Sequence, residues 1–226
     1  MLKHLLTHFD FMMPLLALIT YFIQQKKIGN HKWFLFFYLL CNMVIYGITD
    51  IMSLHYINNL FLYHFIYWAD LVAASYYILR LVSGQPYSRF FWIAGSYTVF
   101  ELVNIALWEP LTDFNSNGAV LSNFIVLSTS MYYMLRLSKS DDILYFQQLP
   151  AFWIISAFLI SCALSTLVLA TYRAYAMMNL QVNYVWAIMN VTYILKFAFI
   201  IVGLLCYNRP QRRSSSQRPF LSSHQP

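Results

Sequence analysis

Three ionisable side chains stand well inside long apolar runs: Asp70, Glu101 and Lys196. A charged group at the centre of a bilayer costs about 2.5–3.5 kcal/mol on insertion scales, so such residues face a bundle interior or a water-filled cavity and find partners there. Two acids and one base in oil can clamp helices together, bind a polar ligand, or pass a proton or ion. Their neighbours share their helix faces. Tyr63, Tyr67, Asp70, Ala74 and Tyr77 follow one stripe, and Tyr97, Glu101, Asn104 and Trp108 follow a second. Trp186, Asn190, Tyr193 and Lys196 form a third, and Tyr38, Asn42, Tyr46, Thr49 and Ser53 a fourth. Lipid satisfies none of these polar groups, so the four faces are expected to converge on one interior polar pocket. Tyrosine suits such a lining, with apolar bulk and a hydroxyl that needs a partner.

Depth sorts the three charges. At a rise of about 1.5 Å per residue, Asp70 lies about 15–18 Å below the outer edge of its run, Lys196 about 18 Å and Glu101 about 10 Å. Asp70 and Lys196 are thus level near the midplane. The expectation is that Lys196 pairs with Asp70, with Glu101 a second acidic partner on the outer side. The candidate ligand- or ion-binding set is Asp70, Glu101, Lys196, Asn190, Tyr67, Tyr193 and Asn104. Whether the pair is structural or functional stays open, because desolvation can outweigh the Coulomb gain of a buried pair.

Other chemistries find little support. Zinc needs three or four ligands; His8, His55 and His64 are outer or near-outer, and no HxxxH or HExxH spacing occurs on the sixth or seventh run. His64 reads instead as a hydrogen-bonded interfacial residue. Paired histidines for haem are absent from facing runs, and no glycine-rich phosphate loop occurs among six glycines. Ser156, Ser161 and Ser165 lack a histidine base and read as small packing residues. Cys41, Cys162 and Cys206 all lie in apolar runs and read as core, not as a disulfide framework. No catalytic residue, metal or cofactor is expected, and an intramembrane enzyme ranks third among the functional readings.

The elements that must carry these residues follow from composition. The 226 residues are 60% hydrophobic and 10% charged, against roughly 45–50% and 25% in soluble domains. Seven runs are long enough to cross a membrane: Leu6–Gln24, Trp33–Ser53, Leu60–Val82, Phe90–Trp108, Ala119–Leu137, Ala151–Tyr172 and Tyr184–Tyr207. They are continuously apolar, which excludes a barrel's two-residue alternation. The fold class is therefore all-α, a polytopic seven-transmembrane-helix bundle over residues 1–208. Residues 209–226, rich in Arg, Ser, Gln and Pro, read as a disordered basic tail.

Charge placement orients the bundle. Eleven of the fourteen Lys and Arg residues fall after the odd-numbered runs or in the tail; Lys3 and Arg173 fall on the other side, and Lys196 is inside. The positive-inside bias puts the N-terminus outside and the C-terminus in the cytoplasm. The net charge of +6 is then a topology signal, and no soluble basic face exists to bind nucleic acid. Asp10 and Pro14 in the first run, with no small-residue site after it, argue against a cleaved signal peptide.

A lysine in the seventh span is similar to the retinal-binding rhodopsins in topology. The likeness stops there: Thr192 stands one turn before Lys196, Arg80 follows Asp70, and the sixth run has no internal proline cage. A second likeness is broader. Asn58-Asn59-Leu60-Phe61, Phe114-Asn115-Ser116 and Leu149-Pro150-Ala151-Phe152-Trp153, in this order, resemble an uncharacterised group of bacterial seven-helix integral membrane proteins of about this length. The resemblance implies the fold and a bacterial inner-membrane location, and it implies no activity. The same residues have plain structural uses: Asn58-Asn59 as a cap for the third helix, Asn115-Ser116 as a turn before Gly118, and Pro150 in the first turn of the sixth helix.

The functional expectation is a sensor or receptor-like module. It would sit in the lipid bilayer, take a small-molecule ligand from the outer side, and couple to a cytoplasmic signalling protein. The alternative is a small-solute or ion transporter with Asp70, Glu101 and Lys196 as its path. An odd number of spans and the lack of midspan glycine or proline breaks argue against a large rocking carrier.

Overall fold

A computed structural model describes residues 2–28, 32–83, 87–139, 146–177 and 183–207, with side chains described from Phe11 onward outside the segment ends. The described residues form seven helices: α1 (Leu2–Gln24), α2 (Lys32–Leu54), α3 (Phe61–Ser83), α4 (Tyr87–Leu107), α5 (Ser116–Ser138), α6 (Pro150–Met177) and α7 (Asn183–Cys206). Among the described residues there is no strand. Helices are what such apolar runs must form, because a segment in lipid has to satisfy its backbone hydrogen bonds internally. Six of them, α2 to α7, are long and apolar enough to cross a membrane. In α1 the described apolar stretch is Phe11–Gln24. The expected tail, 209–226, and the Asp10, Arg173 and Trp186 side chains lie outside the described residues.

Six helices close a ring in the order α1, α2, α3, α5, α6, α7, and α7 packs back on α1. Helix α3 also touches α6 across the middle. Helix α4 is not in the ring; it lies against α3 and α5 from outside. Only 17% of its spanning stretch is buried, against 56% for α6. Small residues set the closest approaches. At Gly203 a methyl group would sit 2.8 Å from Ile154 Cγ1 and 3.1 Å from the Pro150 carbonyl, so α6 and α7 meet there almost backbone to backbone. At Gly95, on α4, a methyl would meet nothing within 4 Å.

Several helix ends are tied off by hydrogen bonds among the described residues. Helix α2 stops in a Schellman turn: the Ile57 N–H reaches the Met52 carbonyl at 2.9 Å and the Tyr56 N–H that of Ser53 at 3.2 Å. Tyr56 holds the left-handed position of that turn at φ 56°, a place glycine usually takes. Pro150 opens α6 as expected, and the Trp153 indole N–H donates to the Gln147 carbonyl at 2.9 Å. Asn58 and Asn59 do not cap α3 as expected. Asn58 accepts from the Leu60 N–H at 2.9 Å and donates to the Thr112 carbonyl at 3.1 Å, while Asn59 reaches the Thr49 carbonyl at 3.3 Å. Asn58 thus ties this loop to the one between α4 and α5, and Asn59 ties it to α2.

Candidate functional site

The first polar centre joins α2, α3 and α7. Lys196 Nζ lies 2.8 Å from Asp70 Oδ2 and 3.0 Å from Oδ1. The Tyr38 hydroxyl donates to Asp70 Oδ1 at 2.8 Å. The carboxylate thus accepts three charge-assisted hydrogen bonds. The lysine side chain is 1% exposed and the aspartate 15%, so the pair is closed on the cationic side. Aromatic rings complete the shell: Nζ sits 5.2 Å from the Phe197 ring centre, 5.4 Å from that of Tyr193 and 5.9 Å from that of Tyr38. These distances are within cation–π range. Local sequence explains the placement. Tyr193, Lys196 and Phe197 lie within one turn of α7, so the ammonium and two of its rings come from one helix face.

Tyr67 and Tyr193 are buried at 3% and 7% exposure. Their hydroxyls lie beside each other and within electrostatic reach of Asp70. Asn190 is half-buried nearer the start of α7.

A second polar centre lies between α3, α4 and the start of α5. Glu101 Oε1 is 2.6 Å from His64 Nδ1 and accepts from Asn115 Nδ2 at 2.6 Å. Asn115 is also the N-cap of α5, accepting from the Gly118 N–H at 3.0 Å. Asn104 bridges onward, donating to Asn115 Oδ1 and Glu109 Oε2 at 3.2 Å each. Glu109 closes the network: it accepts from the Ser116 hydroxyl and from the Asn117 N–H, the latter at 2.8 Å. A carboxylate at a helix start meets free N–H groups and the positive end of the helix dipole. Gly118 is there for space, since a methyl group on it would fall 2.2 Å from Glu101 Oε2 and 2.3 Å from Asn115 Oδ1.

The structure therefore brings Asp70, Lys196, Tyr67 and Tyr193 together and sets Glu101 and Asn104 apart from them. The expectation of Glu101 as a second partner of Lys196 is corrected: its partners are His64 and Asn115. The physical reason is the position of α4. Outside the ring, it turns its polar face to α3 and α5, away from α7. The single pocket expected from α2, α3, α4 and α7 is thus two centres. Trp108, placed on the polar stripe of α4 by its spacing, is 58% exposed. No family model matches the chain, and neither a curated protein nor a solved structure matches it.

Sequence reasoning passed over His64, Glu109, Asn115, Ser116 and Asn117 as site residues. A signal existed for part of the set. Asn115 with Gly118 three residues later is an N-cap pattern, and an acid seven residues before Ser116 can fold back on that cap. Nothing local in the sequence pairs His64 with Glu101, 37 positions away.

Proposed function

We propose that this chain is a receptor-like, multi-pass membrane protein of a bacterial inner membrane, with its N-terminus outside and its C-terminus in the cytoplasm. Its ligand acts at the Asp70–Lys196 centre, and its output passes to a cytoplasmic protein. The observation that carries this reading is the ion pair, which ties α3 to α7, with α2 joined through Tyr38. A molecule that redistributes those hydrogen bonds changes how three helices hold one another. The basic loops and tail support the orientation. Six helices long and apolar enough to cross a membrane support the location.

The second reading, a small-solute or ion transporter, draws on the two polar centres at different depths, with Asp70, Glu101 and Lys196 as stations. Against it, α3, α4 and α7 run unbroken past those residues, whereas carrier sites are usually built on interrupted helices. Reconstitution separates the two. A receptor in proteoliposomes shows no uptake of labelled solutes but retains a cytoplasmic signalling protein when purified from its native membrane. Uptake by the pure protein, without any partner, would establish transport instead.

A further inference from the structure

We infer that the groove between α4 and α5 binds one membrane phospholipid, with an acyl chain between the helices and a zwitterionic, amine-bearing head at the α4–α5 loop. The groove has a volume of about 810 Å³ and is lined by Phe100, Trp108, Asn117, Val120, Leu121 and Phe124. Sites of about 300–1,000 Å³ commonly take small organic molecules and cofactors. It lies apart from the Asp70–Lys196 centre and does not depend on the reading of that centre. The groove exists because α4 leans on α3. The Trp68 indole N–H donates to the Thr98 hydroxyl at 2.9 Å and His64 meets Glu101, whereas contact between α4 and α5 is thin. Phe100 and Trp108, with ring centres 6.3 Å apart, form one wall, and Phe124, 65% exposed, stands on the other. An empty gap between such walls forfeits the dispersion contacts of its lining, so in a bilayer it draws in hydrocarbon.

Depth and polarity select the lipid. Phe100 to Trp108 covers about 12 Å along α4 and Asn117 to Phe124 about 10 Å along α5, within the hydrocarbon depth of one leaflet, about 15 Å. The two members with polar groups, Trp108 and Asn117, both stand at the loop end. The groove thus runs from the interface into a single leaflet, which is the course of an acyl chain. Asn117 gives one of its two amide N–H groups to Asn104 Oδ1 at 3.3 Å. The second, with the Trp108 indole N–H, is left to donate to an ester or phosphate oxygen. Charge selects the head. No Lys or Arg occurs between Arg89 and Arg136, at the far ends of the two helices, while the loop carries Glu109 and Asp113. Glu109 accepts from the Asn117 N–H at 2.8 Å, which puts a carboxylate at the rim, and Asp113 is exposed. An anionic head adds negative charge here with no basic residue on that stretch to meet it. The ammonium of a zwitterionic head complements the two acids.

The test places the full chain in nanodiscs of equal parts phosphatidylethanolamine and phosphatidylglycerol, with dibrominated chains on one lipid or on the other. Bromine quenches nearby indole emission, and the Trp108 share is the difference between wild type and Trp108→Phe. An exposed charge contact amounts to roughly 1.4- to 5-fold in affinity, so brominated phosphatidylethanolamine should quench Trp108 about threefold more effectively than brominated phosphatidylglycerol. Asp113→Asn should reduce that preference. Val120→Trp fills the groove, and the phosphatidylethanolamine retained in mild detergent, counted by native mass spectrometry, should fall from one per chain to none. Equal quenching by the two labelled lipids means ordinary surrounding lipid and overturns the inference. So does an Asp113→Asn chain with unchanged preference, or a Val120→Trp chain that keeps its lipid. A dimer that Phe124→Cys cross-links would make a second copy of the chain the occupant and overturn it as well. If Val120→Trp folds poorly, the quenching comparison decides without it.

Discussion

Replacing Lys196 with Met tests the central ion pair most directly. Methionine is close to lysine in length and apolar, so the change removes charge and donors with little change in volume. Asp70 then keeps one of its three hydrogen bonds, the one from Tyr38, and loses the two from Nζ. Hydrogen bonds to charged groups contribute about 1.5–3 kcal/mol each, so two amount to about 3–6 kcal/mol. Breaking a buried pair by removing one partner is independently put at about 3–5 kcal/mol, because the surviving charge is stranded. At 2–4 °C per kcal/mol for a chain of this size, the unfolding midpoint should fall by roughly 6–20 °C. The assay is thermal unfolding in detergent of wild type, Lys196→Met, Asp70→Asn and the double variant. The double variant strands no charge, so it should recover much of the loss, with a coupling of about 2–3 kcal/mol between the two sites. Single variants within 2 °C of wild type, or losses that simply add in the double variant, would refute the argument.

Three further outcomes follow from local geometry. Gly118→Ala should lower stability by about 2–4 kcal/mol, because its methyl drives into Glu101 and Asn115 and opens the cap of α5; unfolding by circular dichroism reads it, and a neutral result would mean that the cap relaxes freely. Gly203→Ala should cost about 1–3 kcal/mol through overpacking between α6 and α7, while Gly95→Ala, in open space, should be neutral or stabilise its helix by up to about 1 kcal/mol. Equal effects at the two glycines would contradict the assigned packing. Tyr56→Gly should stabilise the end of α2 by about 1 kcal/mol, since glycine takes φ 56° without the side-chain clash and the exposed ring gives up no packing; slower amide exchange at Ile57 would report it, and faster exchange would count against it.

Composition and continuous apolar runs made the all-helical fold legible in advance, because lipid leaves the backbone no alternative to closing its own hydrogen bonds. Depth along the helices likewise made the Asp70–Lys196 pair legible, since rise per residue is a local constant and two opposite charges at one level in oil must meet. Most of each polar stripe turns away from lipid: Tyr38, Tyr46, Tyr67, Tyr77 and Tyr97 are buried, whereas Ser53 and Trp108, at the stripe ends, are exposed. What a stripe cannot state is which helix it will face. Glu101 has the same signature as Asp70, but the placement of α4 outside the ring gives it His64 and Asn115 for partners. Glu109 reads as an ordinary loop acid and is 5% exposed, folded onto the start of α5. Helix type and insertion depth are consequences of the chain's own covalent periodicity. The neighbour relations of helices, and with them the division into two polar centres, come from side-chain packing between segments far apart in sequence, and only the tertiary structure decides those.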